Sequence, residues 1–180
     1  MRALGICLWL AISGSSCSAA PAKSPAAGLP IYGAEDAALL DDGLSGHLFE
    51  TAFVPGTAGD DPDFRDRVLR AEGIWAVKVA TVSREGSLGD TRSYGLSFRP
   101  IESLVGALPT EPISLTISGK DPSFHWLDRA EGAWVGHQLL LMVRSFREGD
   151  KVVLHFHGEP DTADLRAQIL EIRRAPTTQK

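Results

Sequence analysis

Cysteine is almost missing from this chain. There are two in 180 residues, Cys7 and Cys17, both near the start. Beyond Cys17 no disulfide can form, so a packed core must hold whatever folds there. Clustered positive charge is missing as well. No run of five Lys or Arg occurs, and acidic residues outnumber basic ones 23 to 18. Nucleic-acid binding, which needs grouped cations to neutralise phosphates, is thereby excluded. The apolar run from Ala3 to Ile12 is about ten residues long, where a membrane span needs roughly 20. His-Glu-x-x-His, a P-loop, a dinucleotide glycine fingerprint and Gly-x-Ser-x-Gly are all absent. Gly43-Leu44-Ser45-Gly46-His47 brings a serine near a histidine, but it reads as a flexible loop. Asp60-Asp61-Pro62-Asp63 breaks calcium-loop spacing at Arg65. No internal repeat is present.

What is present begins with a leader. Met1-Arg2 is followed by the apolar run and then by small residues, Ser13 to Ala20. This is the layout of a secretory signal peptide and predicts export. Gly14-Ser15-Ser16-Cys17 resembles the lipobox of bacterial lipoproteins, with Gly14 where that class usually has Leu. The resemblance implies that Cys17 is lipidated, heads the mature chain and anchors it to a membrane. Ser18 follows in place of the aspartate that retains such proteins at the inner membrane. That implies an outer-membrane lipoprotein facing the periplasm or the exterior. Ordinary cleavage near Ala19, which discards Cys17, is the alternative. The chain divides into a signal peptide at 1–17, a Pro/Gly-rich tether and irregular segment at 18–60, a β-rich domain at 61–175 and a tail at 176–180.

Periodicity supplies the elements. A short helix is predicted over 34–42. A second opens at Asp61-Pro62, with Asp61 as N-cap, places Phe64, Val68 and Ala71 on one face and stops at Gly73. The period then changes to two. Trp75–Val82, Tyr94–Phe98 and Ile113–Ile117 each alternate an apolar face with a wet one. A short helix is predicted over 121–131, followed by strands His137–Phe146 and Lys151–His157. A four-residue loop, Arg147 to Asp150, would pair Arg144 with Val153 and Met142 with His155. Leu139, Leu141 and Val143 then share a core face with Val152, Leu154 and Phe156. A last helix is capped by Asp161, carries Leu165, Ile169 and Ile172, ends at Pro176 and lies across one mouth of the sheet.

The fold class is mainly β with flanking helices: a five-stranded antiparallel OB-like barrel or curved sheet, with a helix between strands three and four and a C-terminal helix. This order resembles bacterial domains of the netrin and tissue-inhibitor class in pattern only, since those inhibitors rely on cysteines this chain lacks. A wider likeness rests on the leader, Asp41-Asp42-Gly43, Arg67 to Val82, Val135-Gly136-His137, Arg144-Ser145-Phe146, His155-Phe156-His157 and Pro160-Asp161-Thr162. In these the chain resembles a group of uncharacterised secreted proteins and lipoproteins of myxobacterial type. That likeness implies an envelope location and carries no activity.

Two candidate sites remain. His155 and His157, at i and i+2 on one strand, face one way and could offer two imidazoles to a divalent transition metal such as zinc. His137, or else His125, could be the third ligand. Gly149 before His155 echoes half of a cupin motif, whose second half is absent. The competing reading puts both histidines on the wet face beside Lys151, with no cofactor. The other candidate is a binding surface of Phe124, Trp126 and Trp134 for a protein or glycan partner; its competitor buries all three. The sequence thus predicts a non-catalytic binding or structural module of the envelope, with a metal-dependent site as the alternative.

Overall fold

The computed structural model describes residues 26–49, 62–86, 92–130 and 133–175. The leader with Cys17, most of the tether, part of the loop after Glu85 and the tail at 176–180 lie outside the described residues. The described elements are α1 (Ala34–Leu39), β1 (Gly43–Leu44), a 3-10 turn (Gly46–Phe49), α2 (Phe64–Arg70), β2 (Gly73–Glu85), β3 (Ser93–Val105), β4 (Ile113–Ser118), α3 (Pro122–Ala130), β5 (Gln138–Glu148), β6 (Lys151–Pro160) and α4 (Ala163–Arg174). Among the described residues, no helix is long and apolar enough to cross a membrane.

The six strands form one sheet in the order β1-β6-β5-β2-β3-β4, curled into a half-barrel. Every pairing is antiparallel except that of the two-residue β1, which runs parallel to β6. The mainly β class with flanking helices is therefore the observed one, in its curved-sheet form. Segment 43–47, expected to be a loop, instead supplies β1 and the start of the 3-10 turn.

The sheet has two packed faces where the strand pattern predicted one. On the inner face Val77, Val79, Tyr94, Leu96, Phe98, Ile117, Leu139, Leu141 and Phe156 meet Phe124 and Leu127 of α3. On the outer face Ile74, Ala76, Leu140, Met142 and Phe146 meet Leu39, Leu40, Phe64, Val68, Leu165 and Ile169 from α1, α2 and α4. Strand β5 explains why: Leu139 to Val143 is apolar at every position, the composition of a strand covered on both sides. Each buried Val, Leu, Ile, Phe or Met among these contributes roughly 1.5–3 kcal/mol of burial free energy. Helix α4 therefore packs against α2 on the outer face rather than across a mouth of the sheet.

Turn and cap details also differ from expectation. The β5–β6 hairpin closes through two residues, Gly149 and Asp150, because Glu148 pairs with Lys151. Gly149 has φ +61, as a primed two-residue turn requires. Arg144 thus pairs with His155, and Met142 with His157. The shift is two residues, so every side chain keeps its predicted face. Thr162, not Asp161, caps α4 by accepting from the Leu165 N–H at 3.2 Å. Asp161 is occupied by Arg166, at 2.5 and 2.8 Å. Helix α2 begins at Phe64 with Asp63 at its N-cap and no side-chain cap bond, and Gly73 opens β2 rather than ending the helix.

Candidate functional site

Strand β6 sends His155, His157 and Glu159 toward the outer face at alternate positions. All three are buried there. The chain leaving α1 runs alongside them, pairing with the edge of β6. It turns at Asp42, whose φ of +57 is tolerated by Asp better than by bulkier residues. It then pairs Gly43 with His157 and Leu44 with Gly158. A side chain at Gly158 would collide with Leu44, so glycine there lets the strap lie close.

The turn aims two carboxylates at the two rings. Asp42 Oδ2 is 2.7 Å from His155 Nδ1, and Asp41 Oδ1 is 2.7 Å from His157 Nδ1. Asp42 Oδ1 also accepts the Phe156 N–H at 3.1 Å. The far nitrogens face carboxylates as well. His155 Nε2 lies 3.2 Å from Glu148 Oε1. His157 Nε2 lies 3.2 Å from Glu159 Oε1 in a poorly aligned ion-pair contact. From α2, Arg67 donates through Nε to the Leu39 carbonyl at 2.7 Å and reaches Glu159 Oε1 at 3.4 Å. Tyr32 stacks flat on His155, with centroids 3.5 Å apart, while Phe146 meets the same ring edge-on at 5.5 Å.

Electrostatics follow from this crowd of acids. Burial pulls the His157 pKa down, but the hydrogen bond to Asp41 and the nearby Glu159 carboxylate outweigh it, and the net shift is upward. Asp41 is pushed up by burial and down further by its bond to His157, ending below the usual carboxylate range. At Asp42 burial prevails over the bond to His155, and the pKa rises. Burial, then the charges of Asp42 and Asp41, push the Tyr32 phenol up to about 12. The arrangement favours the charged form of the His157 imidazole over the neutral one and ties the strap to the sheet. Among the described residues no hydroxyl or thiol nucleophile is hydrogen-bonded to either ring.

The wet-face reading of the histidines needs correction. They do not sit on a wet face beside Lys151, because α1 and the strap cover that part of the sheet. Nor does His137 join them. It is exposed at the start of β5, with its N–H bonded to the Trp134 carbonyl at 3.0 Å. It lies five residues along the strand from Met142, the partner of His157, or about 17 Å. His125 is exposed on α3, beyond the inner core. Among the described residues no three His, Cys, Asp or Glu side chains are grouped to hold a metal ion.

The aromatic trio divides. Phe124 and Trp134 are 4% and 5% exposed, inside the inner core, and offer no surface. Helical spacing explains it: Phe124 and Leu127 face the sheet at i and i+3, while His125 and Trp126 turn outward. Trp126 is 41% exposed, with the Arg129 guanidinium 6.0 Å from its ring. With Pro122 and His125 these two line a depression of about 480 Å³. Tyr94, bonded to Asp128 at 3.1 Å, fixes the helix from below.

Sequence reasoning missed Asp41, Asp42, Glu148, Glu159, Arg67 and Tyr32 as partners of the histidines. Glu159 was legible, since it continues the i, i+2 series on the same face. Glu148 is seven residues from His155 across the hairpin, while Asp41, Asp42, Arg67 and Tyr32 come from distant segments, up to 116 residues away for Asp41 and His157. Comparison with family models, curated proteins and solved structures finds no match for this chain.

Proposed function

We propose that this protein is an exported, lipid-anchored envelope component that acts by binding rather than by catalysis. Its contact surface is the outer side of α3 around Trp126. One observation carries the reading: a large aromatic stands exposed, beside an arginine, on a helix whose other aromatic is locked in the core. Tryptophan and arginine on a rigid support are the residue types that dominate binding energy at interfaces. The clamp at β6 fits the same reading. It spends both histidines on holding the strap that continues back toward Cys17, the proposed lipid-bearing residue. The partner is a protein or glycan of the envelope.

Fractionation and co-sedimentation test this together. Wild-type chain should partition with membranes and pellet with an isolated cell-wall fraction. Cys17→Ser should move it to the soluble fraction. Trp126→Ala should remain on membranes but pellet with the wall about tenfold less, as expected for a hot-spot truncation. Membrane retention of the Cys17→Ser chain, or equal pelleting by Trp126→Ala, would contradict the proposal.

A further inference from the structure

Strand β2 parts from β5 at the Lys78–Gln138 pair. The turn at 133–136 closes the fork, with Gly136 N–H bonded to the Val79 carbonyl and Val79 N–H to the His137 carbonyl, each at 2.9 Å. Gly136 takes φ +96, which a side chain would resist. In the fork lies a depression of about 380 Å³, walled by Lys78, Val79, Ala80, Arg99, Val135 and Gly136.

Two cations share this notch. Lys78 and Arg99 are direct partners across β2 and β3, so both project from the outer face. Like charges directly opposite each other are destabilising. No carboxylate lines the notch, and neither cation has an ion pair or hydrogen bond among the described residues. Other described cations, such as Arg92 and Arg147, also lack an ion pair, but strand register sets Lys78 and Arg99 side by side in one depression. With 23 acidic residues in the chain, carboxylates are not scarce. Strand register therefore holds an uncompensated pair of cations in a concave site, the electrostatic requirement for an anion. Next along the same face Thr81 pairs with Ser97, and Ser97 with Ser114, giving a row of hydroxyls in a second depression whose far end carries Glu85. The helices α1, α2 and α4 leave this stretch uncovered.

We propose that this notch binds an acidic saccharide. Its carboxylate sits between Lys78 and Arg99, and its hydroxyls meet the Thr81–Ser97–Ser114 row. The charge fixes the anion, and the hydroxyl row favours a sugar over the acyl chains of a lipid. The site is on the opposite face of the sheet from α3, so it stands apart from Trp126.

Calorimetric titration of the full chain with a galacturonate tetramer tests the assignment, with a neutral maltose-type tetramer alongside. The acidic oligomer should bind and the neutral one should not. Lys78→Gln with Arg99→Gln should weaken binding by about tenfold or more, whereas Lys78→Arg and Trp126→Ala should keep it. Without ligand at low salt, the double variant should melt no lower than wild type, because a repulsion has been removed. Binding by Trp126→Ala also separates this site from the α3 surface, since either can fail alone. Absence of heat with the acidic oligomer, equal binding by the double variant, or binding only to vesicles of anionic lipid would overturn the proposal.

Discussion

Replacing Arg67 by alanine is expected to destabilise the fold by about 3–5 kcal/mol, the usual cost of stripping one partner from a buried ion pair. Arg67 and Glu159 have side chains only 6% and 4% exposed. Removing the guanidinium leaves the Glu159 carboxylate buried beside His157 and also orphans the Leu39 carbonyl, which Arg67 Nε bonds at 2.7 Å. Three segments lose their common tie: α2, the strap after α1 and β6. Changing both partners to apolar residues of similar volume, Arg67→Met with Glu159→Leu, should recover most of the loss, because no bare charge then stays inside. Urea unfolding read by circular dichroism checks this. A loss below about 1 kcal/mol for Arg67→Ala would mean the pair is not buried as described.

The second large effect is at the aromatic residues. Phe124→Ala and Trp134→Ala should each cost about 3–5 kcal/mol, through lost burial and a cavity between α3 and the sheet. Trp126→Ala should cost about 1 kcal/mol or less, since its side chain is 41% exposed and leaves no cavity in the core. The m-value should stay constant across all three. A costly Trp126→Ala together with a mild Trp134→Ala would reverse the assignment of core and surface.

How much of this was readable beforehand can be judged residue by residue. Alternation at Tyr94–Phe98 and Ile113–Ile117 gave the inner face correctly, because a period of two survives any tertiary arrangement. The hairpin parity survived too, since an error of two residues leaves faces unchanged. Alternation alone cannot tell which outward faces a helix will later cover. That is why His155 and His157 were read as facing water. The unbroken run Leu139 to Val143 carried the missing information. Strand β1 has only two residues, too few for any periodic signal. The clamp was least legible, because Asp41 and Asp42 meet β6 only after more than a hundred intervening residues have folded.

The central claim is that the acids around His157 favour its charged form and fasten the strap, and the pH dependence of stability tests it most directly. His157 has a folded pKa above its unfolded value of 6.5, so its contribution is complete below 6.5 and is lost as pH rises through the folded value. Asp41 has a lowered pKa, so its contribution is present above 3.8 and is lost as pH falls through the folded value. Asp42 works the other way, costing stability as pH rises from 3.8 through its raised pKa. Unfolding free energies should therefore be measured from about pH 6 to about pH 9 for wild type and for Asp41→Asn. Wild type should weaken as pH rises above 6.5, and the variant, lacking the bond that raises His157, should weaken less. A wild-type curve that is flat or rising, or an identical slope in the variant, would contradict the account.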